Sequence, residues 1–233
     1  MKARFLIPLA ALALITICSC NHNIGNATIA KPLNCDVVPS EVFGRDYTAA
    51  DLKFYRVVDS HDDVWNMYLR CVGELPEGIS AGISEDGRIT SREADTAAFA
   101  EHARNICMKM CNDANEYIYG WQSLLSTEDT IYECLFLCSE PLPLDGNDVV
   151  EARALENEHF GWAEPLLDMT FNTEAAKRWE KITDENIGRR IAFVFAGKVI
   201  STPMVNCKIE GGKSCVSGLS EEETCALAKV LNQ

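Results

Sequence analysis

Beyond its first seventeen residues the chain has no apolar run long enough to cross a bilayer as a helix, which excludes a channel of spanning helices built from these residues. It is also short of positive charge: 21 Lys and Arg stand against 35 Asp and Glu, for a formal net charge of −14. That balance argues against nucleic-acid binding, which needs a basic footprint, and against an electrostatic grip on anionic lipid. Histidine is scarce, and His22, His61, His102 and His159 form no ligand cluster with the cysteines. No CxxC occurs, so a thioredoxin-like redox site is not expected. Neither a metal nor a cofactor is expected.

What is present begins with a leader. Lys2 and Arg4 make a short basic region, and Phe5 to Ile17 is apolar apart from Thr16, the length of a signal-peptide core. The segment closes Ile17-Cys18-Ser19-Cys20. A branched apolar residue three before a cysteine, with a small residue just before it, resembles a bacterial lipobox. Residues 1–19 are expected to be a lipoprotein-type signal peptide, with Cys20 the lipidated first residue of the mature chain. Ordinary cleavage, giving a free periplasmic or secreted protein, is the alternative. Acyl chains contribute about 0.8 kcal/mol per buried CH₂, so two or three hold a domain on a membrane. The expected location is exported, periplasmic or cell-surface, with membrane contact through lipid.

Cysteine is abundant. After Cys20 there are nine: Cys35, Cys71, Cys107, Cys111, Cys134, Cys138, Cys207, Cys215 and Cys225. In an exported chain this implies disulfides, and the odd number leaves at least one thiol free or paired between chains.

Residues 20–50 are polar and irregular and read as a tether. Residues 51–127 read as mainly helical: a short strand at Leu52–Val58, a helix over Ser60–Leu75, a turn-rich stretch over Glu77–Ser91 and a long helix over Arg92–Tyr119 with a buried stripe from Phe99 to Ile118. Ile131–Cys138 is rich in strand formers, so a strand is expected there. The matching spacings of Cys107/Cys111 and Cys134/Cys138 then suggest helix-to-strand staples, 107 with 138 and 111 with 134.

From Val149 the order reads β-β-α-β-β-β-α, an α+β arrangement of a mostly antiparallel sheet with helices on one face. Asn172 and Thr173 can cap a helix to Glu185. Ile191–Phe195 is a strand, Ala196-Gly197-Lys198 a tight turn, and Ile209–Val216 a hairpin with Gly211-Gly212 at its tip. Ser220 and Glu223 make a capping box for the last helix.

Several runs in this part resemble the P1 head of the SecD subunit of the bacterial preprotein translocase: Asn172-Thr-Glu-Ala-Ala-Lys177, Asn186-Ile-Gly188-Arg189-Arg190, Gly197-Lys198-Val-Ile-Ser-Thr-Pro203, Gly211-Gly212 and Ser217-Gly218. Pro141-Leu142 and Asp145-Gly146 match the proline-then-turn approach to that module. The resemblance covers about residues 128–232 and implies a head domain that captures or releases an emerging polypeptide. The chain departs from the family at Cys207, Cys215 and Cys225, positions that are usually polar. Cys207 and Cys215 flank Gly211 symmetrically, so a cross-strand bond is expected, with Cys225 on the outer side of the last helix left unpaired or competing for either arm.

The motif residues read as scaffold before site. Arg189 and Arg190 form a basic pair at a junction, Lys198 is comfortable in a turn, and the glycines serve backbone geometry. Gly211-Gly212-Lys213-Ser214 lacks the upstream glycine and following helix of a phosphate loop. Asp59, His61, Asp62 and Asp63 suit a solvated helix start better than a metal site. Gly78-Ile-Ser80-Ala-Gly82 matches G-x-S-x-G without the strand-turn-helix context of a nucleophile elbow. The expectation is a non-enzymatic head domain binding polypeptide or an envelope protein, in connection with protein export. A small-molecule-binding or purely structural envelope lipoprotein is the alternative. Intact-mass measurement on protein extracted from membranes should show residues 1–19 removed and a diacylglyceryl adduct on Cys20; an unmodified N-terminus would establish plain secretion.

Overall fold

The structure, a computed structural model, describes residues 16–17, 30–57, 81–83, 89–92, 117–124, 131–138, 140–159 and 162–233. In chain order the elements are β1 (Thr16–Ile17), β2 (Lys31–Pro32), α1 (Pro39–Phe43), β3 (Leu52–Arg56), β4 (Ala81–Ile83), β5 (Ile89–Arg92), β6 (Tyr117–Leu124) and β7 (Ile131–Cys138). They continue with β8 (Val149–His159), β9 (Trp162–Phe171), α2 (Thr173–Glu185), β10 (Ile191–Phe195), β11 (Lys198–Ser201), β12 (Met204–Val205), β13 (Lys213–Ser217) and α3 (Glu221–Leu231). Three sheets have the orders β13-β9-β8-β2, β11-β10-β3 and β4-β5-β7-β6, and every pairing within them is antiparallel. A two-residue parallel pairing of β1 with β12 stands apart. The class is α+β, as the pattern of the C-terminal half implies.

Strand periodicity explains how the sheets meet. In β3 and β10 alternate residues point to opposite faces. Leu52, Phe54, Ile191, Phe193 and Phe195 enter the main core, together with Leu167, Met169 and Phe171 of β9 and Trp179 and Ile182 of α2. Tyr55, Val57, Ala192, Val194 and Val199 point the other way and gather around Leu137 of β7. A strand covered on both faces needs no polar residues, and Ile191-Ala-Phe-Val-Phe195 has none. The centre is aromatic: the rings of Phe54 and Phe193 lie 4.8 Å apart, Trp179 stands 5.8 Å from Phe54, and Phe171 is 5.7 Å from Trp179. Trp179 is fully buried, and its Nε1–H donates to the Lys213 carbonyl at 3.1 Å, so its one polar atom is satisfied.

The helices begin where the sequence says they should. Asn172 Oδ1 accepts from the amides of Glu174 (3.1 Å) and Ala175 (2.9 Å). Ser220 and Glu223 form the expected capping box, with Ser220 Oγ accepting from the Glu223 amide at 3.1 Å and Glu223 Oε2 accepting from the Ser220 amide at 2.9 Å. Inside α2, Thr183 Oγ1 donates to the Trp179 carbonyl and accepts from the Ile209 amide, each at 2.9 Å. That fastens the 206–210 segment to the helix.

Several expectations change. Residues 31–47 are not a loose tether: β2 pairs with β8, and Phe43 and Tyr47 pack on Phe195 at 5.0 and 5.3 Å. Every element described within 51–127 is a strand or a 3-10 turn. β4 and β5 occupy the stretch read as turns, while Arg92 and Tyr117–Tyr119, the ends of the expected long helix, lie in β5 and β6. The rest of that helix and the one over Ser60–Leu75 lie outside the described residues. β8 runs on to His159, and β9 follows from Trp162. The 209–216 hairpin does not form, because β13 pairs with β9 instead of with the segment before it. The core side of β13 is claimed by β9 and α2, so Gly211-Gly212 turns the chain onto an existing sheet.

Cys225 is the clearest correction. It is not an outer, unpaired thiol but a 1% exposed residue on the inner side of α3, bonded to Cys35 across 190 residues of sequence. The helix buries Thr224 to Ala228 as well as Val230 and Leu231, so the side that carries Cys225, roughly 120–140° round from Val230 and Leu231, is enclosed too.

Two turns give opposite substitution effects. Gly212 has φ +67°, and a Cβ there would run into the Cβ of Ala176 on α2, so Gly212→Ala should cost about 2 kcal/mol or more. Ala196, with φ 55°, is the only non-glycine residue with positive φ among those described. It precedes Gly197 in a turn that demands left-handed backbone at both positions. Ala196→Gly should gain about 0.5–1 kcal/mol. Urea unfolding midpoints at constant slope would measure both.

Candidate functional site

The motif residues first meet at the base of α2. Asp145-Gly-Asn-Asp148 is a 3-10 turn that caps itself: the Asn147 amide donates to Asp145 Oδ1 at 2.8 Å and the Asp145 amide to Asp148 Oδ2 at 3.2 Å. Asp148 Oδ1 then accepts from Arg178 Nη2 at 2.6 Å and from Asn172 Nδ2 at 3.3 Å. Arg178 Nε donates to the Pro143 carbonyl at 2.9 Å, and the Asn172 amide to the Asp148 carbonyl at 2.8 Å. One guanidinium and one amide side chain thus lock the proline-then-turn approach onto the start of α2. Asn172 was legible as a cap. Asp148 and Arg178 were not singled out, although an aspartate pair spaced three apart around Gly-Asn is a turn-and-cap pattern a sequence can show.

The remaining motif positions serve geometry at separate places and do not converge. Gly188, with φ +79°, ends the α2 junction, and its amide donates to the Val205 carbonyl at 2.7 Å. Arg189 is exposed and gives its carbonyl to the Val205 amide; Arg190 bridges to Met204. Lys198 is exposed at the start of β11, next to Gly197. Pro203 is buried, and its carbonyl accepts from the Ile191 amide. Gly211, Gly212 and Gly218 all take positive φ. Ser201 and Ser214 bury their hydroxyls without a partner among the described atoms.

The outward face of the β13-β9-β8 sheet carries a line of alternating charge. Cross-strand register places Cys215 opposite Asp168 and Asp168 opposite Arg153, and the next row holds Lys213, Thr170 and Glu151. Arg153 grips Glu151 with two hydrogen bonds, at 2.9 and 2.6 Å. Those bonds hold the Glu151 carboxyl below its ordinary value, with the charges of Arg153 and Lys213 adding to the effect. Lys208 similarly joins Glu180 of α2 to Glu210 at 2.9 and 2.8 Å. Among the described residues no three His, Cys, Asp or Glu side chains are grouped to hold a metal ion. None of the described helices is long and apolar enough to cross a membrane.

The cysteines divide. Cys35 is bonded, to Cys225, and Cys207 and Cys215 are not bonded to one another, because they do not face across a hairpin. Cys134 and Cys138 lie in β7, on the strand expected for them. Cys20, Cys71, Cys107 and Cys111 lie outside the described residues, as do Asp59, His61, Asp62, Asp63 and Ser80. Ala81–Ile83 is a strand directly after Ser80, where a nucleophile elbow would need a helix.

Fold and motif geometry together define an α+β head domain whose signature residues shape the backbone. Residues 124–233 match the family model of the SecDF P1 head subdomain, so this part of the chain is similar to that family. The chain is 40% identical over 92 residues to the protein translocase subunit SecDF of Thermus thermophilus, covering 39% of this chain and 12% of that one. It is 37% identical over 89 residues to SecD of Rhodothermus marinus, covering 38% and 14%. The SecD of Desulfurispirillum indicum aligns further, at 25% identity over 165 residues, 70% of this chain and 32% of that one. The chain therefore spans well under half the length of these relatives. Among solved structures it is similar to SecDF in a super-membrane-facing form (TM-score 0.42, 24% identity, 79% of this chain and 19% of that one). A second SecDF structure covers 78% of this chain and 92% of that chain at TM-score 0.38 and 23% identity.

Cys215 offers a test of the sheet's outer face. Burial pushes its thiol pKa up, and the negative charge of Asp168 adds to the rise, so the reactive thiolate is depleted at neutral pH. Iodoacetamide at pH 8 should label Cys215 slowly in the folded protein and rapidly in urea. Asp168→Asn should speed the folded-state reaction, as read by peptide mass mapping.

Proposed function

We propose that the chain is a non-enzymatic, extracytoplasmic head domain that binds polypeptide or an envelope protein in the service of protein export. The observation that carries this reading is the SecDF P1 head match over residues 124–233, which falls on an intact fold whose motif residues all have backbone roles. The relatives are named as translocase subunits, and a head that keeps their motif geometry is suited to the same kind of ligand.

In this reading residues 1–19 are a leader and Cys20 carries lipid. Nine residues, 21 to 29, then separate Cys20 from residue 30, a contour length of about 30 Å. Residues 30–57 belong to the same folding unit as 140–233, since β3 supplies the core partner of β10. The domain would work at the outer surface of a membrane, beside a partner that brings the polypeptide.

Crosslinking in the native envelope, followed by mass spectrometric identification, tests the proposal. The expected outcome is adducts between this domain and exported polypeptides or a component of the export machinery. Recovery of lipid adducts alone would overturn it and turn attention to a structural or small-molecule-binding lipoprotein.

A further inference from the structure

The segment before α1 is laid across the domain as an extended peptide ligand would be. Lys31 and Pro32 pair antiparallel with Glu156 and Leu155 on the free side of β8, and the Leu33 amide donates to the Ala154 carbonyl at 3.0 Å. From there to residue 38 exposure alternates. Leu33, Cys35 and Val37 are partly buried and packed against the main core, while Asn34, Asp36 and Val38 face outward. Backbone pairing to a sheet edge, with shallow sites for every second side chain, is the way strand-adding domains hold extended polypeptide.

Two fastenings keep this strap in place. Cys35 is bonded to Cys225 of α3, and Lys229 Nζ, one turn further along α3, donates to the Val37 carbonyl at 2.7 Å. The ladder itself is only two residues long and contains a proline, too little to hold unaided. The edge continues beneath Asn232, whose side-chain amide takes the place of a strand: Oδ1 accepts from the Ala152 amide at 2.9 Å and Nδ2 donates to the Ala152 carbonyl at 2.7 Å. From Ala152 to Glu156 the edge is thus covered by the two-residue β2, the Leu33 amide and the Asn232 side chain. The other outer strand of this sheet, β13, offers no such place, since Ser214, Val216 and Ser217 are buried.

We propose that residues 30–38 are a disulfide-latched strap over a docking edge on β8, and that the edge takes an extended polypeptide segment with small or medium apolar residues at alternate positions. This rests on the polypeptide-binding reading and names a site and a gate for it. Opening requires reduction of this bond, which a dithiol accomplishes in two exchange steps. One of the dithiol's thiolates attacks Sγ of Cys35, the less buried of the two residues, and expels Cys225 as a thiolate that takes up a proton. The second thiolate then displaces Cys35 in the same way, leaving two cysteine thiols on the protein and a disulfide on the reductant. Held only by its short ladder, the strap yields its place to a competing strand.

The test uses the full chain with Cys35→Ser and a fluorescein-labelled peptide of residues 30–38 that retains its cysteine, in a glutathione redox buffer. The expected result is a mixed disulfide between the peptide and Cys225, at least ten-fold reduced when Leu33 and Val37 of the peptide are aspartate. An unrelated peptide with the same apolar alternation should compete. Equal trapping of the aspartate peptide, or no trapping at all, overturns the proposal. Should the variant fail to fold, hydrogen exchange on the unmodified protein decides. Titration with a phosphine reductant should release the amides of 31–37 while those of 167–171 stay protected; no change at 31–37, or joint loss of both, overturns the strap. Failure here with envelope adducts still formed by the oxidised domain would remove the β8 edge and leave polypeptide binding standing. Trapping on Cys225 without any envelope adduct would do the reverse.

Discussion

The contact on which the rest of this domain depends is the aromatic junction of Phe54, Phe193 and Trp179. It is where three layers meet: the three-stranded sheet, the helix α2 and, through Phe171 and Met169, the four-stranded sheet. Removing a buried aromatic of this size typically costs about 3–5 kcal/mol, a large part of the net stability of a domain. The junction also settles how the chain is divided. Phe54 comes from a segment more than a hundred residues before α2, so the N-terminal strand is a structural component of the head and not a lead-in to it. Because β10 is covered on both sides, the short β11 and the loop to β12 are held by a strand that cannot move without opening two cores.

Legibility in the sequence followed the range of the interactions. Caps and tight turns are local, and Asn172, the Ser220/Glu223 box and the Ala196-Gly197 turn were all readable from neighbouring residues. Register between distant strands was not. The run from Ile209 to Val216 looks like a hairpin because glycines sit at its middle, yet β13 finds β9 the better partner, since Val216 reaches the core only on that sheet. The same error placed Cys207 and Cys215 opposite one another. Cys225 was misjudged for a related reason: helix periodicity gives a residue's direction only when the inner face is known, and for α3 that face is set by the strap as well as by the sheet. The polar composition of residues 30–47 concealed an alternation at 33–38 that is plain once the segment is known to be extended.

The motif that carries the family resemblance is therefore a set of backbone instructions. Gly212 lets the chain pass close to α2, Asn172 and Asp148 fix where that helix starts, and Gly188 and Pro203 bring the junction back alongside Ile191. None of these residues marks a ligand, which is why the resemblance was a better guide to fold than to site. What distinguishes this chain lies largely outside the motif. It is the disulfide that joins the strap at Cys35 to the last helix at Cys225, closing a loop across 190 residues of sequence. In the chain-entropy account such a long closure restricts the unfolded ensemble strongly, by about 5 kcal/mol. The bond acts on the folded state as well, because it holds in register a two-residue strand that has too few hydrogen bonds of its own. A single crosslink thus supports global stability and keeps one sheet edge covered.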